Sequence, residues 1–232
     1  MTATVPGEAA DSERIAAFVQ SETRLAAPPL VPEIYLHLTD AITPLWEATE
    51  ATLDRKGVPP PYWAFAWVGG QALARFVLDH GRTALAGKRV LDLAAGSGIV
   101  AIASAMIGAD ACAADIDRFA CVAAALNAKA NRVCIATSTD DFLAGSETTT
   151  VLWDAVLAGD VCYERPMAER MMRRLRGLAA TGRTVWLADP GRSYLPRTGL
   201  DEIARYRVPC SRELEDAAEK TVRIFRVLPT VA

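Results

Sequence analysis

From Lys88 onward, apolar residues alternate between short continuous runs and longer segments with a helical repeat. The short runs predict strands at 89–93, 110–114, 132–137, 151–158, 184–188, 206–209 and 221–228. Helices fit the intervening 98–107, 118–130, 165–178 and 196–205. Asp117 is placed to cap the second of these, and Pro166 falls in the first turn of the third. This alternation implies an α/β fold, a doubly wound and mostly parallel sheet with helices on both faces. Segment 211–220 is short and charged, so the last two strands are expected to run antiparallel.

The first third reads differently. Ile15, Phe18 and Val19 give 12–22 an amphipathic helical pattern, which Pro28-Pro29 ends. An extended segment follows at 32–38 and a further helix at 44–53. Pro59-Pro60-Pro61 forms a stiff linker. A helix from 71 to 80 stops at Gly81. Two parts are therefore expected: a partly helical N-terminal extension (1–60) that helps recognise substrate, and a main domain (61–232). Deletion of residues up to Glu22 is expected to be mild.

Composition narrows the function. The chain has 232 residues, 51% of them hydrophobic and 23% charged, as in a soluble globular domain. Its net charge of −3 offers no global basic field for nucleic acid. The basic run from Arg170 to Arg176 reads as a solvated helix face. No apolar run is long enough to span a membrane, and the opening lacks a signal pattern. The five cysteines show no paired spacing and fit reduced thiols, so a cytoplasmic protein is expected. Only two histidines occur, His37 and His80, and no metal site is expected. A monomer is expected.

The candidate chemistry gathers at strand ends. Val90-Leu91-Asp92-Leu93-Ala94-Ala95-Gly96-Ser97-Gly98 reads as a buried strand, a glycine turn and a helix start. Such a turn lets backbone approach a ligand and offers unpaired N–H groups to it. Ile99-Val100 after Gly98 excludes a P-loop, which needs Gly-Lys-Ser/Thr there. A dinucleotide site stays open, but Asp92 beside the turn suits a cationic ligand better than a pyrophosphate. The second strand ends in Asp115-Ile116-Asp117, where a carboxylate can accept from both hydroxyls of a ribose. Asp140 or Asp141 can accept from an adenine amino group, with Phe142 packed on the ring. Trp63 and Trp67 are candidates to wall the ligand or to fill the core. Gly69-Gly70-Gln71 permits a close backbone approach.

Gly159-Asp160-Val161-Cys162-Tyr163 follows the fourth strand. There a carboxylate can orient an uncharged amine and stabilise the charge that develops on it. Tyr163 can narrow the pocket and present a ring face to a cation.

Asp92-x-Ala94-x-Gly96-x-Gly98 resembles the acid-x-Gly-x-Gly-x-Gly motif of class I methyltransferases, with Ala94 in place of the first glycine. Asp160-x-x-Tyr163 resembles the Asp/Glu-x-x-Tyr/Phe motif of seven-β-strand protein lysine methyltransferases. It stands where amino-methylating nucleic-acid enzymes carry Asn-Pro-Pro-Tyr. Pro44-Leu45-Trp46, Pro61 to Trp67, Gly69 to Arg75, Trp153-Asp154 and Ala188-Asp189-Pro190-Gly191-Arg192 are similar to the electron-transfer flavoprotein β-subunit lysine methyltransferases. Val68 departs from that pattern, where proline is expected.

The resemblance implies a seven-stranded, Rossmann-like sheet whose last strand is antiparallel. It implies S-adenosylmethionine as methyl donor and a protein lysine as acceptor. The protein partner is then the flavoprotein β subunit or a ribosomal protein, and neither nucleic acid nor a membrane is expected as partner. Asp160 and Tyr163 are the expected catalytic residues. The cofactor is expected at Trp67, Gly70 and Gln71, at Asp92, Ala94, Gly96 and Gly98, and at Asp115 and Ile116. Asp140, Asp141, Phe142 and Gly159 complete that set.

Overall fold

A computed structural model describes residues 6–39, 44, 60–144 and 152–229. Apart from Pro44, the helix expected at 44–53 lies outside these residues, as does Pro59. The chain opens with α1 (Pro6–Glu22) and a hairpin of β1 (Arg24–Ala26) and β2 (Leu36–Leu38). A 3-10 turn (Tyr62–Ala64), α2 (Val68–His80) and α3 (Arg82–Leu85) lead into the sheet domain. There follow β3 (Arg89–Leu93), α4 (Ile99–Met106), β4 (Asp110–Ala114), α5 (Arg118–Ala130) and β5 (Ala136–Ser138). The remainder comprises β6 (Ala155–Gly159), α6 (Arg165–Ala180), β7 (Thr184–Asp189), β8 (Leu200–Pro209), α7 (Arg212–Glu215) and β9 (Glu219–Val227).

Seven strands form one sheet in the order β5-β4-β3-β6-β7-β9-β8. β9 inserts between β7 and β8 and runs antiparallel to both. The fold is therefore the doubly wound sheet with a reversed last strand. Strand order reverses beside β3, which has β4 on one side and β6 on the other. Open α/β sheets bind ligands beyond the carboxyl ends of the strands at this switch point.

Alternation along β3 assigns each side chain to a layer. Val90 joins the core beneath α2 and α4, while Leu91 and Leu93 join the core beneath α6. Asp92, between the two leucines, faces the α4 side.

Three expectations change. Residues 196–205 are not a helix: Leu200–Pro209 is a strand paired with β9 almost along its length. A helical reading of that segment lost to strand pairing, with an irregularity between Glu202 and Ala204 absorbing the mismatch. The strand expected at 132–137 shrinks to Ala136–Ser138, because Arg132 turns at φ 57 and the chain leaves α5 through a loop. The strand expected at 151–158 begins at Ala155.

The N-terminal helix is also no loose decoration. Ile15, Phe18 and Val19 are buried with Trp63, Phe119, Ala120 and Ala123, and the Phe18 ring meets Phe119 edge-on at 5.6 Å. Burying each such side chain contributes about 1.5–3 kcal/mol. Removal of the first 22 residues uncovers the outer face of α5, against the expectation that their deletion is mild.

The hairpin is clamped to the domain through Asn127, which is fully buried on α5. Its Oδ1 accepts from the His37 N–H at 2.7 Å, and its Nδ2 donates to the Ser97 carbonyl at 2.9 Å. One amide thus ties the N-terminal hairpin to the glycine turn. Asn127→Leu leaves two buried backbone groups unpaired, at about 1–3 kcal/mol each. Urea unfolding is expected to show the loss as a lower midpoint. Asn131→Ala, whose partner Tyr35 is exposed, should cost less. Equal midpoints for the two variants would contradict this role.

Candidate active site

The glycine turn starts where β3 ends. Ala94, Gly96 and Gly98 have φ of 57°, 51° and 75°, all left-handed. Ala94 holds a conformation that suits glycine and carries a strain of about 1–2 kcal/mol. A Cβ on Gly98 would lie 2.7 Å from the Ala124 Cβ, so α5 packing also demands glycine there. A Cβ on Gly96 would meet nothing nearer than 3.9 Å. At Gly96 the turn presents bare backbone to the narrow space before Tyr62 and Trp63, whose backbone an added Cβ would meet at ordinary contact distance.

Asp92 does not face that space. It is 2% exposed, and its Oδ2 accepts from the Ala101 N–H at 3.0 Å, behind the turn. Burial pushes its carboxyl up to about 8, with the nearby Asp115 adding to the rise. The expected partner of a cationic ligand is instead a support for the α4 start.

Asp115 bridges the two loops. Its Oδ2 accepts from Gly96 N at 2.9 Å and its Oδ1 from Asp117 N at 3.0 Å. Ile116 beside it is 74% exposed, an apolar face held at the strand end. Asp117 caps α5, accepting from Phe119 N at 2.8 Å.

At the next strand end the three expected residues separate. Asp141 accepts from Leu143 N and Ala144 N and pairs with Arg170, so it is committed to its own loop. Asp140 is exposed and accepts from the Ser138 hydroxyl at 2.8 Å. Phe142 is 5% exposed and sits in the sheet core rather than on a ligand face. Gln71 is also turned inward: its Nε2 donates to the Ala66 carbonyl and its Oε1 accepts from Leu30 N. Trp63 is core, stacked on Phe119, whereas Trp67 is half-buried at the site.

Glycines also bring α2 against the end of β6. A Cβ on Gly69 would fall 2.4 Å from the Asp160 Oδ2, and one on Gly159 would fall 3.0 Å from Gly70 N. Asp160 occupies a left-handed turn at φ 58. Its Oδ2 accepts from Gly70 N at 3.0 Å, at the start of α2. Burial pushes its carboxyl up to about 6, against the opposing pull of Arg192. Tyr163 is 45% exposed, and its ring lies 5.9 Å from Tyr62, which in turn lies 5.8 Å from Trp67. These rings form one aromatic row that starts three residues beyond Asp160.

Two residues here were not singled out by sequence. Arg192 donates from Nη2 to Asp160 Oδ1 at 2.9 Å. Glu215, buried, accepts from Nη1 at 3.1 Å and from Nη2 at 2.7 Å. Asp189, at the end of β7, accepts from Gly191 N and Arg192 N and so shapes that loop. The position of Asp189-Pro190-Gly191-Arg192 at a strand end was an available signal. Glu215 had none, since it arrives on the connection between β8 and β9. An open cleft of about 320 Å³ lies beside Arg192, lined also by Tyr163, Pro190, Gly191, Ser193 and Lys220.

Known proteins resemble this chain. The ribosomal protein L11 methyltransferase (PrmA) family profile matches residues 73–161, from α2 through Asp160. The electron transfer flavoprotein beta subunit lysine methyltransferase of Danio rerio is 34% identical over 203 residues, 85% of this chain and 76% of that protein. The Homo sapiens protein of the same name is 37% identical over 222 residues, 93% of this chain and 82% of that one. The chain belongs to the electron transfer flavoprotein β-subunit lysine methyltransferase family. Its fold is that of class I methyltransferases. A Pyrococcus horikoshii protein assigned as an RNA methyltransferase superimposes with a TM-score of 0.54 at 14% identity, covering 76% of this chain and 91% of its own. Another, assigned as a methyltransferase and solved with S-adenosylhomocysteine, gives 0.51 at 12% identity, covering 88% and 56%. In this lysine methyltransferase family member, Asp160 and Tyr163 lie beyond the switch point, on the loop that leaves β6.

Proposed function

We propose that the protein transfers methyl groups from S-adenosylmethionine to lysine side chains of the electron transfer flavoprotein β subunit. The observation that carries this reading is Asp160, a largely buried carboxylate three residues before the exposed Tyr163 at the switch point of a family member's sheet. When bound, S-adenosylmethionine supplies an electrophilic methyl group on a sulfonium. The residues present fit it: the bare left-handed backbone at Gly96, the Asp115 carboxylate for ribose hydroxyls, and the exposed Ile116 for an adenine face. Asp140, exposed at the next strand end, suits the adenine amino group better than the loop-bound Asp141. Asp160 orients the target amine and offsets the positive charge it gains. Tyr163 and Tyr62 exclude water and narrow the approach.

The extension 1–60 assists substrate recognition in this reading, and the protein works as a cytoplasmic monomer. The profile match over 73–161 favours a ribosomal protein as the second substrate to test. Methylation assays with labelled donor on the purified flavoprotein β subunit and on ribosomal protein L11 decide between them. Labelling of the flavoprotein subunit is the expected result.

Calorimetry tests the cofactor. S-adenosylhomocysteine is expected to bind and NAD to bind at least tenfold more weakly or not at all. Gly96→Val, which adds bulk and strain at a left-handed turn, should abolish that binding. Tighter binding of NAD would remove the methyltransferase reading.

A further inference from the structure

At the site one polar chain, Glu215–Arg192–Asp160, joins the motif carboxylate to two residues from other elements. Arg192 arrives from the loop after β7, Glu215 from α7 and Asp160 from the end of β6. Glu215 grips the guanidinium with both oxygens, leaving Nη2 aimed at Asp160 Oδ1. The side chains of Glu215, Asp160 and Arg192 are 3%, 11% and 22% exposed, so solvent screens the chain weakly. The Trp67 ring, 5.9 Å from the guanidinium carbon, limits where Arg192 can move. The same guanidinium lines the cleft beside Tyr163.

We infer that Arg192, oriented by Glu215, is a positioning residue that keeps Asp160 ionised and aimed for the target amine. The inference rests on Asp160 meeting that amine. Asp160 sits where burial favours its neutral acid form, which could neither orient an amine nor offset its charge. An opposite charge at hydrogen-bond distance favours the ionised form by about one to three pH units. Arg192 provides this charge from inside the protein, so the carboxylate is ready before substrate arrives. Glu215 counters part of it, because its own charge repels Asp160 and pulls the guanidinium back. Other charged and titratable groups close by are Asp189 at the end of β7, Lys220 and Arg223 on β9, and Tyr163. The Gly70 amide adds a neutral donor from α2.

The test is the pH dependence of kcat/KM for methylation of the flavoprotein β subunit. Free lysine titrates near 10.4, so the rate rises with pH by one proton over the working range. Below the value at which Asp160 protonates, a second proton steepens the rise. In the parent enzyme this break is expected near 6. Arg192→Gln should move the break up by about one pH unit or more. Arg192→Lys retains the charge and should keep the break close to its parent position, though not the full rate, since it lacks the fork that Glu215 grips. Urea unfolding and S-adenosylhomocysteine binding confirm that each variant is folded. A lower rate with an unmoved break in Arg192→Gln makes Arg192 merely structural and overturns the inference. Asp160→Asn separates the two ideas. If the break persists in Asp160→Asn, the break does not belong to Asp160, and the amine-binding reading fails along with this one.

Discussion

Asp160→Asn is expected to reduce kcat for lysine methylation by about 10²-fold or more, with S-adenosylhomocysteine affinity changed by no more than a few-fold. The amide keeps the size of the side chain and removes its charge. Its carbonyl can still accept from Gly70 N or from Arg192, but not from both as the carboxylate does at 3.0 and 2.9 Å. The loss therefore reports the electrostatics that favour a positive nitrogen in the transition state. Leaving Arg192 short of a partner also costs stability, so urea unfolding must accompany the kinetics. Calorimetry with S-adenosylhomocysteine separates the roles. If cofactor binding weakened as much as methylation slowed, Asp160 would be a cofactor ligand or a structural turn, and its assignment to the amine would be wrong. Tyr163→Phe should be milder, because the ring wall with Tyr62 survives.

Gly69→Ala is expected to be nearly as damaging without removing any charged group. The added methyl would sit 2.4 Å from Asp160 Oδ2 and 2.9 Å from Asp160 N. The backbone there has little freedom to retreat. It is in a left-handed turn, and Asp160 N donates to the Ala188 carbonyl at 3.0 Å. Either α2 or the Asp160 turn must shift, and a displacement of about 1 Å at a reacting group can cost on the order of 10²-fold in rate. Gly70→Ala supplies the contrast. Its methyl would meet the Ile99 side chain at 3.2 Å, a contact that a small rotation relieves. That variant should lose no more than a few-fold. Comparable kcat values for the two variants would show that the approach of α2 to Asp160 does not matter to catalysis.

Much of this architecture is legible in the chain because it depends on local periodicity. Runs such as Val90–Leu93 and Ala111–Ala114 are buried on both faces, and no short helix explains them as well. The turn at Gly96 and Gly98 is legible because its φ values exclude most other residues. Asp117 caps α5 as its position implies, since a cap bonds amides one turn away. Asp115 lies at a strand end by simple counting, and its two amide contacts follow from the adjoining loops.

Direction and partnership were settled elsewhere. Asp92 belongs to the glycine motif, yet whether it faces ligand or helix depends on which layer α4 occupies above β3. Phe142 and Trp63 look like ligand walls in one dimension, and packing against Leu91 or Phe119 makes them core. Segment 196–205 looks helical until β9 pairs with its second half, from Leu200 onward. The Arg192–Glu215 grip joins residues 23 positions apart through the order of strands in the sheet, which no local pattern encodes. By itself the sequence determined the alternating elements, the left-handed glycine turn and the carboxylates at strand ends, because each follows from interactions within a few residues. The tertiary structure alone decided which carboxylates face the cleft and which cation meets Asp160, because burial and charge pairing depend on segments that meet only after folding.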